Sequence, residues 1–399
     1  MATFERQPVA VNDSENEPAG FKIEVLQGLS SFLALRAEWD DLYEATETPQ
    51  NVFQSHCFLR HWAEQYVGEA DRLYFVCGRV ETQLAMVWPL MVTRRLGVDV
   101  MTIMGAPAAQ FFDILVGNVK DRTSLLDAGW NAVRTLKADV FTAHNVRQDA
   151  SIQSCATMRS VELPGKTNAP YAKLRFRVEG DELGCAYSPR ARSNYRRRLR
   201  RAGDYGKITF SSVEPGALAS ELAGKAISFK QGSLLKKRIW SPTVRDPRFV
   251  RFFELLAADP DASLRVSTIC CDGLKIGIEL SFDCKGHTFG HILATDPDSP
   301  IEGLGSLLTI RSFMSAAARG THTFEMMLPA DAYKLQHADG ETAVSSFAVA
   351  FTPRGKLYRN LYLSKLQPFA RDIARKFAAP IIAGMLKTLL YRRRIFQGL

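Results

Sequence analysis

The stretch LKIGIELSFDC, residues 274–284, constrains the fold more than any other in this chain. Ile276, Ile278, Leu280 and Phe282 fall on one side of an extended backbone, and Gly277, Glu279, Ser281 and Asp283 fall on the other. That is the period-two pattern of a β-strand. The next strand, near 287–295, puts His287, Phe289, His291 and Leu293 on one side. The polar sides have two readings: an ordinary solvated sheet face, or polar groups gathered on neighbouring central strands.

Around these strands, strand and helix patterns alternate through two blocks. The first opens with FKIEVL (21–26), a helix over 30–44 and another over 55–67. Strands near 72–80, 83–93, 98–104 and 111–116, a helix over 122–137 and the strand ADVFTAHN follow. PGKTNAP (164–170) reads as a Pro/Gly-rich boundary. The second block starts with a helix capped by Ser188, with Pro189 in its first turn and Gly203 as its stop. It continues with a strand over 207–213, helices over 217–236 and 246–258, and strands near 264–271, 274–284 and 287–295. A helix, THTFEMML (321–328) and AVSSFAVAF (343–351) complete it. The element order points to an α/β protein with two similar domains, although no repeat is visible residue by residue.

DSPIEGLGSLLTIRSFMSAAARG (298–320) begins as a turn and ends as an amphipathic helix, with Gly303-Leu304-Gly305 at the junction and Ser306 opening the helix. Free N–H groups at such a start can face a phosphate, though glycines there are also ordinary loop chemistry. Two decoys fall away. Gly165-Lys166-Thr167 lacks the earlier glycine of a P-loop, where Ser160 stands, and Asn168-Ala169-Pro170 stands where its helix should begin. GLGSLL lacks the third glycine of a dinucleotide fingerprint, with Leu308 in its place.

Length (399 residues) and 46% hydrophobic content allow a large core without staples. The cysteine count is odd, at seven, with no CxxC, which points to a reducing cytoplasm and no disulfide framework. No metal-ligand spacing links them to the histidines. Residues 1–19 read as a polar, disordered tail without the apolar core of a signal peptide. The net charge of +9 is uneven: from Arg354 onward 11 Lys/Arg face one acid, Asp372, leaving the body near neutral. A second basic cluster spans Arg190 to Arg201. Basic clusters concentrate anions without naming them.

SPRARSNYRRRLRRAGDYGKITF, then GIELSFDCKGHTFGHILATD, then PIEGLGSLLTIRSFMSAAARGTHTFEMMLPADAYKLQHAD form an ordered set. The set resembles the GNAT-superfamily acyltransferases associated with bacterial cellulose biosynthesis, the CelD-like family, relatives of the FemABX peptidyltransferases. The resemblance covers roughly 170–350. Asp296, a glycine at 303 or 305, Phe324, Asp331, Tyr333 and Lys334 match the family pattern. Thr295 replaces its aromatic, Glu325 its aspartate and Ala330 its glycine, and Pro300 takes the first position of the acyl-CoA loop.

The resemblance implies tandem GNAT-like (acyl-CoA N-acyltransferase) domains with mixed central sheets: a degenerate one over 20–168, the acyltransferase domain over 169–353, and a basic amphipathic helical tail over 354–399. It implies acetyl-CoA or another acyl-CoA as co-substrate, no metal, and direct attack of an amine or hydroxyl on a thioester. Gly303, Leu304, Gly305 and Ser306 would hold the pyrophosphate. His291, with Glu325 facing it from the next parallel strand, would be base candidates, as would Glu279 and Asp283, which are also acceptor-side candidates with Asp331. Tyr333 would protonate the leaving thiolate and Lys334 would stabilise negative charge; the ordinary alternatives are a core aromatic and a surface ion pair with Asp331 or Glu325. Arg192 and Arg196, four apart on one helix face, would line a cleft for an anionic substrate.

The acceptor would be a polar cell-envelope or exopolysaccharide-related molecule. The alternatives are an inactive scaffold in a polysaccharide synthase complex and an aminoacyl-tRNA-dependent transferase. The basic helix carries few aromatics besides Tyr195 and Tyr205, so no nucleic-acid partner is otherwise expected. In the tail, Tyr358, Tyr362, Leu366, Phe369, Ile373 and Phe377 recur at helical spacing, and IIAGMLKTLLYRRR follows Pro380. The two readings are a helix docked on its own domain and a peripheral anchor on the inner membrane face of a cytoplasmic protein.

Overall fold

The computed structural model describes residues 20–180 and 182–370. The expected tail over 1–19 and the segment with Ile373, Phe377 and the run after Pro380 lie outside the described residues. By packing, the chain divides into two compact units. The first takes the described residues up to Pro170 together with Leu328–Gln336 and Gly340–Ser364. The second takes Tyr171–Met327, His337–Asp339 and the described residues from Lys365.

Twelve strands matter below. In chain order they are β1 (Phe21–Gln27), β2 (Arg72–Val80), β3 (Gln83–Arg95), β4 (Val98–Ile103), β5 (Val140–Arg147) and β6 (Val161–Lys173). Then come β7 (Ile208–Val213), β8 (Leu264–Cys271), β9 (Leu274–Cys284), β10 (His287–Thr295), β11 (Thr323–Glu325) and β12 (Gly340–Ala350). The helices are α1 (Gly28–Ala34), α2 (Arg36–Ala45), α3 (His56–Tyr66), α4 (Arg122–Thr135), α5 (Pro189–Gly203), α6 (Ala217–Lys236), α7 (Pro247–Ala258) and α8 (Leu304–Ala318).

In the first unit β1, β2, β3 and β4 pair antiparallel in turn, β4 pairs parallel with β5, and β5 pairs antiparallel with β12. In the second, β7, β8, β9 and β10 pair antiparallel in turn, β10 pairs parallel with β11, and β11 pairs antiparallel with the Tyr171–Lys173 end of β6. The two pairing schemes are the same. In each, the parallel step is bridged by a helix, α4 or α8, because parallel neighbours need a crossover. The sixth strand is exchanged: β12 follows β11 in sequence but completes the first sheet, and the end of β6 completes the second.

Local departures from the sequence reading have local causes. The helix expected over 30–44 is two helices, α1 and α2, meeting at Leu35. The strand expected over 111–116 is reduced to Leu115–Val116 beside β3. PGKTNAP, expected as a loop, lies inside β6; proline is tolerated in a strand wherever its missing N–H is not needed by a neighbour. THTFEMML contributes three strand residues, Thr323–Glu325.

Trp39, Trp62, Trp88 and Trp130 are fully buried in the first unit, each large enough to contribute about 2–3 kcal/mol through area removed from water. In the second unit Phe252, Phe253, Phe282, Phe289, Phe313 and Phe324 are buried. Both sides of β9 are covered. α6 and α8 both pack on β9 and β10, a Cβ on Gly277 would touch Leu308 of α8, and Glu279 and Ser281 are buried with the apolar residues. The polar side of β9 is therefore not a solvated face.

Among the described residues of the tail, a short helix (Pro353–Leu357) leads into a wider π-type helix (Tyr358–Leu366). Tyr358 and Leu363 pack with Val98, Val100, Val140 and Ala348 in the first unit, while Leu366 and Phe369 are exposed.

Candidate active site

β10 and β11 are paired at three rungs, His287 with Thr323, Thr288 with Phe324 and Phe289 with Glu325. β11 stops there, while β10 runs on to Thr295. A bulge on β10 coincides with the parting. Leu280 of β9 faces Ile292 and Ser281 faces Gly290, which leaves His291 as the extra residue. A bulge bends its strand and raises its twist. Backbone groups of Gly290–Thr295 on the β11 side are thus outside the ladder, and Glu325 sits on its last rung.

The Glu325 side chain is buried, and its Oε1 lies 3.2 Å from Nδ1 of His287. The His322 ring stands edge-on to His287, 5.0 Å between centres. His291 packs its ring 5.0 Å from Phe253 of α7 and 5.7 Å from Phe282 of β9. His291 and Glu325 therefore both lie where the strands part, with His291 in an aromatic setting and Glu325 in a polar one.

The glycine turn opens α8. Gly303 is its N-cap, in the left-handed region at φ 74°. A Cβ there would come 3.3 Å from Cδ of Arg198, whereas a Cβ on Gly305 would meet nothing. Of the two glycines, the backbone requires the first. Arg198, projecting from α5, donates from Nη1 to Oγ of Ser306 at 2.9 Å. The loop ahead of the turn is fixed by Lys236 of α6, whose Nζ binds the Asp298 carboxylate at 2.8 Å and the Pro297 carbonyl. First-turn N–H groups, the positive end of the helix and a guanidinium thus converge beside Gly303, and together they favour an anion.

A second network lies in the same unit. The Tyr187 hydroxyl is 2.6 Å from Nδ1 of His337, and Arg177 forks onto both Asp339 oxygens at 2.7 and 3.1 Å. Burial first, then the charges of Arg177 and Arg198, lower the His337 pKa to about 4. The ring is neutral at pH 7, and in the tautomer protonated on Nε2 its Nδ1 accepts a hydrogen bond from the Tyr187 hydroxyl.

The other expected residues are placed differently. Arg196 is exposed and reaches Glu182 at 3.4 Å. Neither it nor Arg192 makes the contact with the turn that Arg198 makes. Asp283 is held by Arg319 at 2.7 Å and Thr288 at 2.6 Å. Burial pushes its carboxyl up, but the Arg319 and Thr288 hydrogen bonds and the charges of Arg319 and Arg265 outweigh that, so its pKa is lowered. It is an ion-pair partner. Glu279 is buried on the α8 side of β9. Asp331, Tyr333 and Lys334 belong to the first unit. Asp331 precedes a short helix, Ala332–Leu335. Tyr333 is 50% exposed, yet desolvation of its hydroxyl, then the Asp331 charge, pushes the phenol up to about 12. Lys334, read as a charge-stabilising residue with a surface ion pair as the alternative, is buried and donates to the Pro329 carbonyl at 2.9 Å.

Sequence reasoning passed over Arg198, His287, Tyr187 and His337. A signal for Arg198 existed: Ala191, Tyr195, Leu199 and Ala202 form the packed stripe of α5, and Arg198 flanks it.

Residues 189–335 match a family model described as an acetyltransferase (GNAT) domain. No curated protein matches the chain by sequence. Among solved structures, FemX shares 11% identity at a TM-score of 0.57, with 82% of this chain and 98% of that one covered. L-PGS from Bacillus licheniformis shares 10% at 0.51, covering 83% and 95%. A conserved protein of unknown function from Bacteroides thetaiotaomicron shares 10% at 0.50, covering 79% and 97%. At such identities the likeness is one of fold. Residues 189–335 are thus an acetyltransferase (GNAT) domain, set in a mixed α/β chain whose two units repeat one pairing scheme.

Proposed function

We propose that the protein transfers an acyl group from acyl-CoA, acetyl-CoA in the first instance, to an amine or hydroxyl of a polar cell-envelope or exopolysaccharide-related acceptor. The observation that carries the donor assignment is Arg198 fixed on Ser306 beside the left-handed Gly303 turn. These residues fit a pyrophosphate: an N-cap without a side chain, a helix start and a preset guanidinium. An extended pantetheine arm would lie along β10 where the strands part, at Gly290–His291.

In the transfer, the acceptor nitrogen or oxygen bonds to the thioester carbon, the carbon–sulfur bond breaks, the acceptor proton passes to a base and the thiolate leaves. Glu325, on the last rung with His287 behind it, is the base this reading assigns. His291 carries the bulge that aims the strand.

The acceptor class, a link to cellulose or another exopolysaccharide, and a polysaccharide synthase partner rest on the sequence resemblance. Peripheral contact with an anionic inner leaflet rests on the basic tail. Among the described residues no helix is long and apolar enough to cross a membrane.

Calorimetry with acetyl-CoA tests the donor. Saturable binding that is lost in Gly305→Glu, where a carboxylate would face the phosphates, supports the assignment. Absence of binding to the wild-type protein overturns it, and would turn attention to an aminoacyl-tRNA donor drawn to the exposed arginines of α5.

A further inference from the structure

We propose that the cavity between α8 and the β7–β9 side of the second unit binds a small polyhydroxylated amine, of amino-sugar size, whose ammonium group pairs with Glu279. The cavity measures about 490 Å³, within the roughly 300–1,000 Å³ usual for small-ligand sites. It is separate from the donor turn and the parting strands: its walls come from Val178 and Gly180, from β7, β8 and β9, and from α8 beyond Leu307.

Glu279 lines this cavity and is 2% exposed. Its Oε1 has no hydrogen-bond partner among the described residues, and neither has Oγ of Ser281, next on the same side of β9. A buried carboxylate oxygen without a donor is costly, and a ligand N–H supplies the donor. Burial pushes the Glu279 carboxyl up. Besides Arg311, the remaining polar wall is a set of hydroxyls: Ser211, Ser212, Ser267, Thr268, Ser312 and Ser315. Hydroxyls donate and accept, so they suit a ligand that carries hydroxyls of its own.

The nearby cations are already engaged. Arg319 binds Asp283 at 2.7 Å, and the Arg311 guanidinium lies 3.9 Å from the centre of the Phe210 ring. Arg311 lines the cavity and keeps its charge over that ring, while Glu279 is the acidic group of the wall, and the complement of that carboxyl is an ammonium.

The test is calorimetry of the full chain with glucosamine, without acyl-CoA, with glucose as the amine-free comparator. Glucosamine is expected to bind saturably and glucose far more weakly. Glu279→Gln should weaken glucosamine about tenfold or more, the scale of one hydrogen bond to a charged group. Ser267→Leu, which fills the cavity from the position opposite Glu279 on β8, should abolish binding while the circular dichroism spectrum is retained; this variant serves if Glu279→Gln fails to fold. Arg198→Ala should leave glucosamine affinity unchanged. No binding to the wild-type protein, equal binding of glucose, or unchanged affinity in folded Glu279→Gln or Ser267→Leu overturns the proposal. Loss of glucosamine binding in Arg198→Ala overturns the separation of the two sites.

Discussion

Arg198 reaches from α5 to the hydroxyl of Ser306 in the first turn of α8, 2.9 Å away, and so holds a guanidinium over the helix start. A cation held there by a neighbour is already oriented for a phosphate, and little side-chain entropy is left to lose when one binds. Arg198→Ala is therefore expected to weaken acetyl-CoA about tenfold or more, as for one charge-assisted bond. Arg196→Ala should change affinity by less than about twofold, as expected of an exposed charge. Titration calorimetry on both variants separates them, and equal losses would count against the placement of Arg198.

Gly303 gives a second handle on the same turn. Its φ of 74° costs a side-chain-bearing residue about 1–2 kcal/mol, and a Cβ would press on Arg198 at 3.3 Å. Gly303→Ala should lower the melting temperature by a few degrees, at about 2–4 °C per kcal/mol, and weaken acetyl-CoA as well. Gly305→Ala has open space around its Cβ and should fold as the wild type does. Thermal melts of the two variants decide this.

The sequence made the second sheet legible because each strand there carries its own period-two pattern and each turn its own punctuation. β9 and β10 appear at the expected residues. The exchanged sixth strand was not legible. Its pairing joins residues as distant as Asn145 and Ser346, 201 positions apart, and nothing local to AVSSFAVAF names β5 as its partner. Arg198 was obscured by repetition: in a run of arginines, charge spacing selects several faces equally, and the packed stripe of α5 decides. The burial of Glu279 depends on which helix covers β9, which alternation alone does not contain.

Glu325 on the last rung of the β10–β11 pair is assigned the acceptor proton. Glu325→Gln keeps the shape and a hydrogen-bonding side chain for His287 but removes the base. Turnover is expected to fall by about 10²-fold or more, with acetyl-CoA affinity unchanged. His287→Gln, which disturbs an orienting contact 3.2 Å away, should cost less. Once an acceptor is in hand, steady-state rates set beside calorimetric donor affinity provide the check; full turnover by Glu325→Gln would remove it from the mechanism.

His337 ties stability to pH. Its pKa falls from the unfolded value near 6.5 to about 4 in the fold, through burial and then the Arg177 and Arg198 charges. Between those values the unfolded chain binds more protons than the folded one, so stability rises with pH. The contribution is fully present above about pH 6.5 and is lost as pH falls through about 4, on the order of 3 kcal/mol in all. His337→Gln leaves Tyr187 an acceptor but does not titrate. The stability difference between wild type and variant, measured by urea denaturation, should shift in favour of the variant by that amount between pH 7 and pH 4. Arg198→Ala should raise the His337 pKa, which NMR titration of the ring reads directly. A difference that does not change with pH would mean that His337 is not held neutral by its surroundings.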